Sequence, residues 1–293
     1  MSVRLETLQV ARLAPKLLGE SASLVTEYLH GQLNQDGGFR NRGGDSDLYY
    51  TVFGLQSLVA LRCDLPSPAV LPFLRQFSGG DTLDFVHLGC LARCWAMMPE
   101  TDRAADIARN IAVRLERYRA ADGGYHASPS AAHGTAYHAF LALSAYQDLG
   151  IALPDARQII ASVRSLESSD GAFANEPQRR QGSTPATAAA ITVLRHLEAA
   201  LPNGLAEWLL GQCREGAFFA TPQTPVPDLL STATALHALS SLGTSLDGIR
   251  ESCLDFVDSL WTSRGAFYGT WADDEPDCEY TFYGLLALGH LAV

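Results

Sequence analysis

Positive charge is in short supply in this chain. Its 293 residues carry 21 Lys+Arg against 32 Asp+Glu, a formal net charge of −11. That balance excludes broad electrostatic binding to nucleic acid or to an anionic membrane surface, although it leaves room for local basic sites. Charge of either sign is sparse at 18% of residues while 47% are hydrophobic, so the polar composition of a disordered chain is missing. Long apolar runs are missing too, and no transmembrane segment is expected. The first twenty residues place Arg4, Glu6, Arg12, Lys16 and Glu20 among their apolar positions. This interrupts any secretory-type hydrophobic stretch and reads as an amphipathic helix. No C-x-x-C pair occurs among Cys63, Cys90, Cys94, Cys213, Cys253 and Cys278. Scattered cysteines with no leader favour reduced thiols and a cytoplasmic location. The length suits one large domain or two ordinary ones.

What is present is a repeat. A helical stretch ends in a glycine-aromatic turn, a polar loop follows, and then comes an apolar helix rich in small residues. The turns are Gly37-Gly38-Phe39, Gly123-Gly124-Tyr125, Gly171-Ala172-Phe173, Gly216-Ala217-Phe218 and Gly265-Ala266-Phe267, with aromatics 86, 48, 45 and 49 residues apart. The first interval is nearly double, and a degenerate copy fits inside it, from Leu71-Pro72-Phe73-Leu74 through Gly79-Gly80 to Leu88-Gly89-Cys90-Leu91-Ala92. Each turn glycine is expected to supply the positive φ that ends the preceding helix, with its aromatic folding back onto the next layer.

Six segments after the loops share one texture: TVFGLQSLVAL, LGCLARCWAMM, TAYHAFLALSAY, TAAAITVLRHL, TATALHALSSL and TFYGLLALGHL. They are apolar on more than one face, as helices walled in by neighbours are. IARNIAVRLERYRA and ARQIIASVRSLESS instead mix charged and apolar positions at helical spacing, which suits an outer layer. The sixth inner segment reaches Val293 with no polar capping repeat behind it, so ring closure is expected rather than an open solenoid. The expected fold is all-α: an α/α toroid, a barrel of six helical hairpins around a central apolar cavity. It would form one domain over residues 1–293, with an N-terminal helix in 1–20 covering outer surface and six repeats of about 45 residues across 21–293.

The phrases YLHGQLNQDGGFRNRGGDSDLYYTVFGL and WTSRGAFYGTWADDEPDCEYTFYGLLAL resemble the repeats of the protein prenyltransferase β subunit and the terpenoid cyclase superfamily, and the likeness spans nearly the whole chain. The resemblance implies an isoprenoid-processing toroid whose chemistry sits at the starts of the inner helices. Aspartate recurs there: Asp47, Asp228 and Asp277 each precede a threonine (Thr51, Thr232, Thr281) by four residues. Such aspartates serve as helix N-caps or as a functional carboxylate rim.

Prenyltransferases hold zinc through Asp-x-Cys at one inner helix and Asp-x-x-His at the next. Here Leu230 and Tyr280 replace the Cys and His beside Asp228 and Asp277. A second register keeps more of the pattern: Asp84-Phe85-Val86-His87 matches Asp-x-x-His, while Asp47-Leu48-Tyr49 has tyrosine for the thiolate. Asp47, Asp84 and His87 are thus the candidate ligands for a divalent ion, Zn or Mg, with Glu279 or water completing the shell. The run Asp273-Asp274-Glu275-Pro276-Asp277 is a candidate chelator of Mg on a diphosphate.

For a prenyl diphosphate, the resemblance points to His133 in its His-Gly phrase and to Arg42, with Arg40, Arg179 and Arg180 in equivalent loops; arginine forks suit phosphate oxygens. Tyr49, Tyr50, Phe53, Trp95, Tyr137, Phe140, Phe282 and Tyr283 are the candidate aromatic lining, of which Tyr50, Tyr137 and Phe282 are the expected isoprenoid contacts. Class II cyclases protonate an alkene with the central acid of Asp-x-Asp-Asp, and among the quartets here only Asp277-Cys278-Glu279-Tyr280 has a carboxylate in that place. The expected function is prenyl diphosphate binding with transfer to an acceptor, with Asp47, Asp277 and Glu279 as candidate catalytic groups and a protein partner or second copy completing the assembly. The alternatives are a class II cyclase-like enzyme using Asp277 and Glu279, and a noncatalytic toroid that binds lipid or protein, which the incomplete motifs favour.

Overall fold

The computed structural model describes residues 1–103 and 105–293. In chain order its helices are α1 (Val3–Ala11), α2 (Pro15–Leu18), α3 (Ala22–Gly31), α4 (Leu48–Ala60), α5 (Ser67–Gln76), α6 (Phe85–Met97), α7 (Ala105–Leu115), α8 (Ala136–Leu149), α9 (Ala156–Arg164), α10 (Thr184–His196), α11 (Leu205–Leu210), α12 (Leu229–Ser241), α13 (Arg250–Ser259) and α14 (Cys278–Leu291). Two strands, β1 (Cys213–Arg214) and β2 (Ala217–Phe218), pair antiparallel. Among the described residues no helix is long and apolar enough to cross a membrane. All six cysteines are free.

The six small-residue segments form the even-numbered helices α4 to α14, apart from the short α11 and its odd-numbered companions. Each begins at a residue whose side chain accepts a first-turn backbone N–H: Asp47, Asp84, Thr135, Ser183, Asp228 and Asp277. Such a cap satisfies one of the donors that a helix start leaves unpaired. In four of the six a buried threonine stands four residues on, Thr51, Thr187, Thr232 and Thr281. Thr51 Oγ1 donates to the Asp47 carbonyl and accepts from Phe39 N at 2.9 Å, and Thr232 repeats this with Asp228 and Phe218.

The turn glycines do have positive φ, between 81° and 92° at Gly37, Gly123, Gly171, Gly216 and Gly265. They do not end helices, however. Each lies inside a small hairpin whose sides pair as Leu33 with Phe39, Arg119 with Tyr125, Glu167 with Phe173, Cys213 with Phe218, or Trp261 with Phe267. A reversal this tight needs one left-handed residue, and glycine takes that conformation without a Cβ penalty. The aromatic that follows is fully buried in every copy. Phe39 packs so closely on α4 that a Cβ at Gly54 would fall 2.3 Å from its ring, and Phe267 stands likewise against Gly284 of α14.

The described residues group into two compact units, one made of Val3–Phe73 with Leu209–Val293 and the other of Leu74–Trp208. In the first, α12 packs on α14 and α14 on α4, with α13 against α14 and α3 against α4. The last capped helix therefore lies beside the first, which is the closure contact expected from the repeat count. The Gly265 turn supports it, since a Cβ there would come within 2.3 Å of the Leu24 backbone in α3. In the second unit α8 packs between α6 and α10, with α7 and α9 as companions.

The N-terminal segment departs from expectation. Pro15, which has no N–H to give a continuing helix, separates α1 from α2. Far from covering an outer surface, α1 packs against α14 and α4 and buries Val3, Leu8 and Ala11. Gly289 makes the approach feasible, because a Cβ there would lie 2.2 Å from the Val10 carbonyl oxygen. Glu6 of α1 stands 3.5 Å from the His237 ring of α12, which in turn meets His290 at 3.0 Å.

Candidate functional site

The contact of α14 with α4 brings the starts of the two helices together, and with them Arg42, Asp47, Tyr50, Asp277 and Glu279. Asp277 uses its two carboxylate oxygens differently: Oδ1 accepts Tyr280 N–H at 2.9 Å as the cap of α14, and Oδ2 accepts Arg42 Nε–H at 2.8 Å. The Asp277 side chain is 5% exposed, whereas that of Arg42 is 39% exposed. A second carboxylate, Asp273, stands 3.5 Å from the Arg42 guanidinium and also accepts the backbone N–H of Gly269 and Thr270. Burial alone would depress the Arg42 pKa, but the hydrogen bond to Asp277 and both negative charges raise it. Asp277 remains raised, because burial outweighs the Tyr280 N–H and Arg42.

Glu279 lies in the first turn of α14. Its Oε1 accepts the Tyr49 hydroxyl of α4 at 2.6 Å. Burial, helped by the nearby Asp277 charge and opposed by the Tyr49 hydrogen bond and Arg42, pushes its pKa up from 4.5 to about 7. Desolvation disfavours the ionised form, so this carboxyl holds its proton at a pH where ordinary glutamates have lost theirs. Burial and the same carboxylates push the Tyr50 hydroxyl up to about 12.

Around this acid the rings form a continuous belt. Tyr49 meets Tyr50 edge-on at 5.7 Å and Phe53 at 5.0 Å; Phe53 reaches Tyr283 at 5.6 Å, and Tyr283 lies 6.5 Å from Tyr280. The Arg42 guanidinium sits over the Tyr280 ring at 5.7 Å. Tyr49, Tyr50 and Phe53 occupy the second, third and sixth positions after Asp47, and Glu279, Tyr280 and Tyr283 occupy the same positions after Asp277. All six are half-buried, so one face of each helix is only partly covered. Phe282 is 3% exposed and belongs to the core behind them, touching Phe53 at 5.9 Å.

The other candidates have different settings. Asp47 caps α4 through Tyr49 N–H, two residues before the hydroxyl that holds Glu279. Asp228 gives both oxygens to Ser231, one to its N–H and one to its hydroxyl. Arg40 turns back on the end of α3, donating to Gln32 Oε1 at 2.8 Å and to the Gly31 carbonyl. The remainder lie in the unit Leu74–Trp208. His133 is 57% exposed, 3.7 Å from Asp122, and Arg179 pairs with Glu176. Arg180 is exposed on the same loop. Tyr137 is 37% exposed beside His138, whose pKa burial and His126 lower to about 4. Trp95 is buried and Phe140 half-buried.

For a metal the fit is poor. Asp84 Oδ1 is already engaged by His87, through its N–H at 2.9 Å and its ring Nδ1 at 2.8 Å, and these contacts pull the Asp84 pKa down despite burial. Among the described residues, no three His, Cys, Asp or Glu side chains come together as a metal-binding group. The described donors therefore do not fit a tetrahedral zinc.

Sequence reasoning missed Tyr49 as the partner of Glu279 and Asp273 as the second anchor of Arg42. The first had a signal: Tyr49 and Glu279 share one offset from their caps, on helices that closure makes neighbours. The second had none, because the loop that carries Asp273 folds on itself.

A family model of the prenyltransferase alpha-alpha toroid domain matches residues 7–67, 88–210 and 187–292. No curated protein matches the sequence. Among solved structures, a protein from Actinoplanes is similar at 14% identity and a TM-score of 0.59, covering 93% of this chain and 98% of that one. A variant of the type II terpene cyclase MstE from Scytonema is similar at 12% identity and a TM-score of 0.60, covering 95% and 97%.

Proposed function

The chain belongs to the prenyltransferase alpha-alpha toroid family, and from that premise we propose that it processes an isoprenoid by acid catalysis, with Glu279 as the proton donor. The observation that carries this reading is a glutamic acid with its pKa raised to about 7 and set in a half-buried face of aromatic rings. A general acid works best when its pKa lies near the working pH.

The Glu279 O–H bond breaks and its electron pair stays on the carboxylate, while the π pair of a substrate alkene takes the proton to form a C–H bond. The cation left on the neighbouring carbon is attacked by a second alkene of the same chain, which closes a ring. Loss of a proton to water or to the Glu279 carboxylate ends the sequence. Two groups counter the weakening of the acid by burial. The Tyr49 hydroxyl bonds more strongly to the carboxylate than to the acid, so its contribution grows as the proton leaves, and the Arg42 charge acts in the same direction. The faces of Tyr49, Tyr50, Phe53 and Tyr283 suit a travelling carbocation. The likeness to a type II terpene cyclase supports the same chemistry.

The test is turnover of isoprenoids of graded length in D2O. The cyclised product should carry one deuterium at the carbon that started the ring, and Glu279→Gln should lower turnover by about a hundredfold or more. Product formed without deuterium, or an active Gln variant, would refute the assignment.

A further inference from the structure

Two of the free thiols meet where the β1–β2 hairpin rests on α13. Cys213 opens β1, and Cys253 lies in the first turn of α13. The Cys253 thiol donates a hydrogen bond to the Cys213 sulfur, which also accepts the backbone N–H of Gly216. The seat of the hairpin is fixed separately by Gly216, since a Cβ there would strike the Ser252 carbonyl and stand 2.7 Å from Cys253 N. Cys253 is fully buried, whereas Cys213 is only half-buried. Packing does not require sulfur at either place. Gly37 and Gly265 seat their hairpins in the same register, against Ala69–Val70 of α5 and Leu24 of α3. The place of Cys253 is thus filled by the buried Val70 and Val25 in those repeats, and that of Cys213, three residues before the glycine, by Asn34 and Thr262.

We propose that Cys213 and Cys253 form a redox-active dithiol, a modification site at which a peroxide converts the pair to a disulfide. Cys213 is the attacking thiol. The hydrogen bond from Cys253 outweighs burial and, with the Gly216 N–H, lowers the Cys213 pKa. The same hydrogen bond, burial and the Cys213 charge push that of Cys253 up. The thiolate is the reactive form, and it sits on the sulfur that solvent reaches. The Cys213 thiolate attacks one peroxide oxygen, the O–O bond breaks, and the departing hydroxide takes up the proton that Cys213 had shed to give water. Cys213 is then a sulfenic acid. The Cys253 sulfur, already in contact, attacks the Cys213 sulfur; the S–O bond breaks, and the leaving hydroxide carries away the Cys253 proton as a second water. Two thiols are oxidised to one disulfide and one peroxide is reduced to two waters. The new bond ties the hairpin ahead of α12 to α13, the helix that packs against α14.

The experiment treats the reduced full-length protein with hydrogen peroxide in small excess, then counts thiols after unfolding and maps peptides without reductant. Of the six thiols, four should remain. The missing two should appear as one peptide linked through Cys213 and Cys253, and dithiothreitol should restore all six. In Cys253→Ser, peroxide should leave Cys213 as a sulfenic acid that dimedone captures. In Cys213→Ser, Cys253 should keep its thiol at the same dose. Six thiols after treatment, a link through another cysteine such as Cys90 or Cys94, or sulfinic acid at Cys213 in place of the disulfide would overturn the proposal. So would a Cys253→Ser protein without a dimedone adduct, or oxidation of Cys253 in Cys213→Ser. The thiol count and the peptide map use the parent chain alone, so they decide the matter even where a serine variant fails to fold.

Discussion

Tyr49→Phe deletes one oxygen, the donor that lies 2.6 Å from Glu279 Oε1, and keeps the ring that packs on Tyr50 and Phe53. The lost hydrogen bond is worth about 1 kcal/mol while Glu279 is protonated and about 2 kcal/mol once it is ionised, since a charged acceptor bonds more strongly. The difference, about 1 kcal/mol, corresponds to just under one pKa unit. The Glu279 pKa, already pushed up to about 7 by burial, should rise towards 8. The sign follows from linkage. A carboxyl with a raised folded-state pKa contributes stability that is complete below its unfolded value near 4.5 and is lost as pH rises through its folded value. Raising that value moves the loss to higher pH and deepens it. Urea unfolding should therefore show the variant about 1 kcal/mol less stable at pH 5 and about 2 kcal/mol less stable at pH 9. Infrared difference titration against Glu279→Gln should place the carboxyl midpoint above that of the parent, and the acid limb of turnover should extend upward with it at a lower maximal rate. A destabilisation equal at both pH values, or a midpoint that falls, would show that Tyr49 does not tune Glu279.

Two further outcomes are expected. Arg42→Ala should destabilise by about 1–3 kcal/mol at neutral pH, less than a fully buried pair because Arg42 is partly exposed; the deficit should shrink in acid, where a raised Asp277 takes up its proton, and a pH-independent deficit in urea unfolding would contradict the pairing. Gly171→Ala and Gly265→Ala each force a left-handed alanine, at φ near 83° and 82°, for about 1–2 kcal/mol. Only Gly265 also faces backbone, that of Leu24 at 2.3 Å, while nothing lies within 4 Å of Gly171. Denaturant midpoints should then separate the two by roughly another 1–3 kcal/mol of overpacking, and equal losses would mean that the contact between first and last repeats is loose.

The architecture was legible in the sequence because it is written in local signals that recur from repeat to repeat. Cap, threonine, small-residue helix and turn glycine each have a nearest-neighbour meaning, so six inner helices followed from the repeat and their closure from the absence of a capping repeat, while the aspartates stayed open between cap and functional rim. The site was legible only in part. Asp277 and Glu279 stood out through their quartet, but whether Arg42 would face a ligand or a carboxylate depends on a loop that meets it from 235 residues away. A long-range ion pair leaves no periodicity to read. The hairpin role of the glycines and the seat of α1 against α14 were hidden for the same reason: Gly289 beside Val10 is a close approach between distant segments, and in the sequence it is only one more small residue.

One of the two compact units is a continuous stretch, Leu74–Trp208, whereas the other is assembled from Val3–Phe73 and Leu209–Val293. During synthesis at about 5–20 residues per second, the continuous unit has all its parts while the first repeat still waits, with the faces of α1 and α4 that receive α14 uncovered. Tyr49 and Arg42 belong to the first segment of that unit, and Glu279 and Asp277 to the second, on the far side of Leu74–Trp208 in the chain. Until that second segment is made, Tyr49, Tyr50 and Phe53 lack the carboxyl that Tyr49 binds, so Glu279 acquires its tyrosine partner only after the whole of the intervening unit has been synthesised.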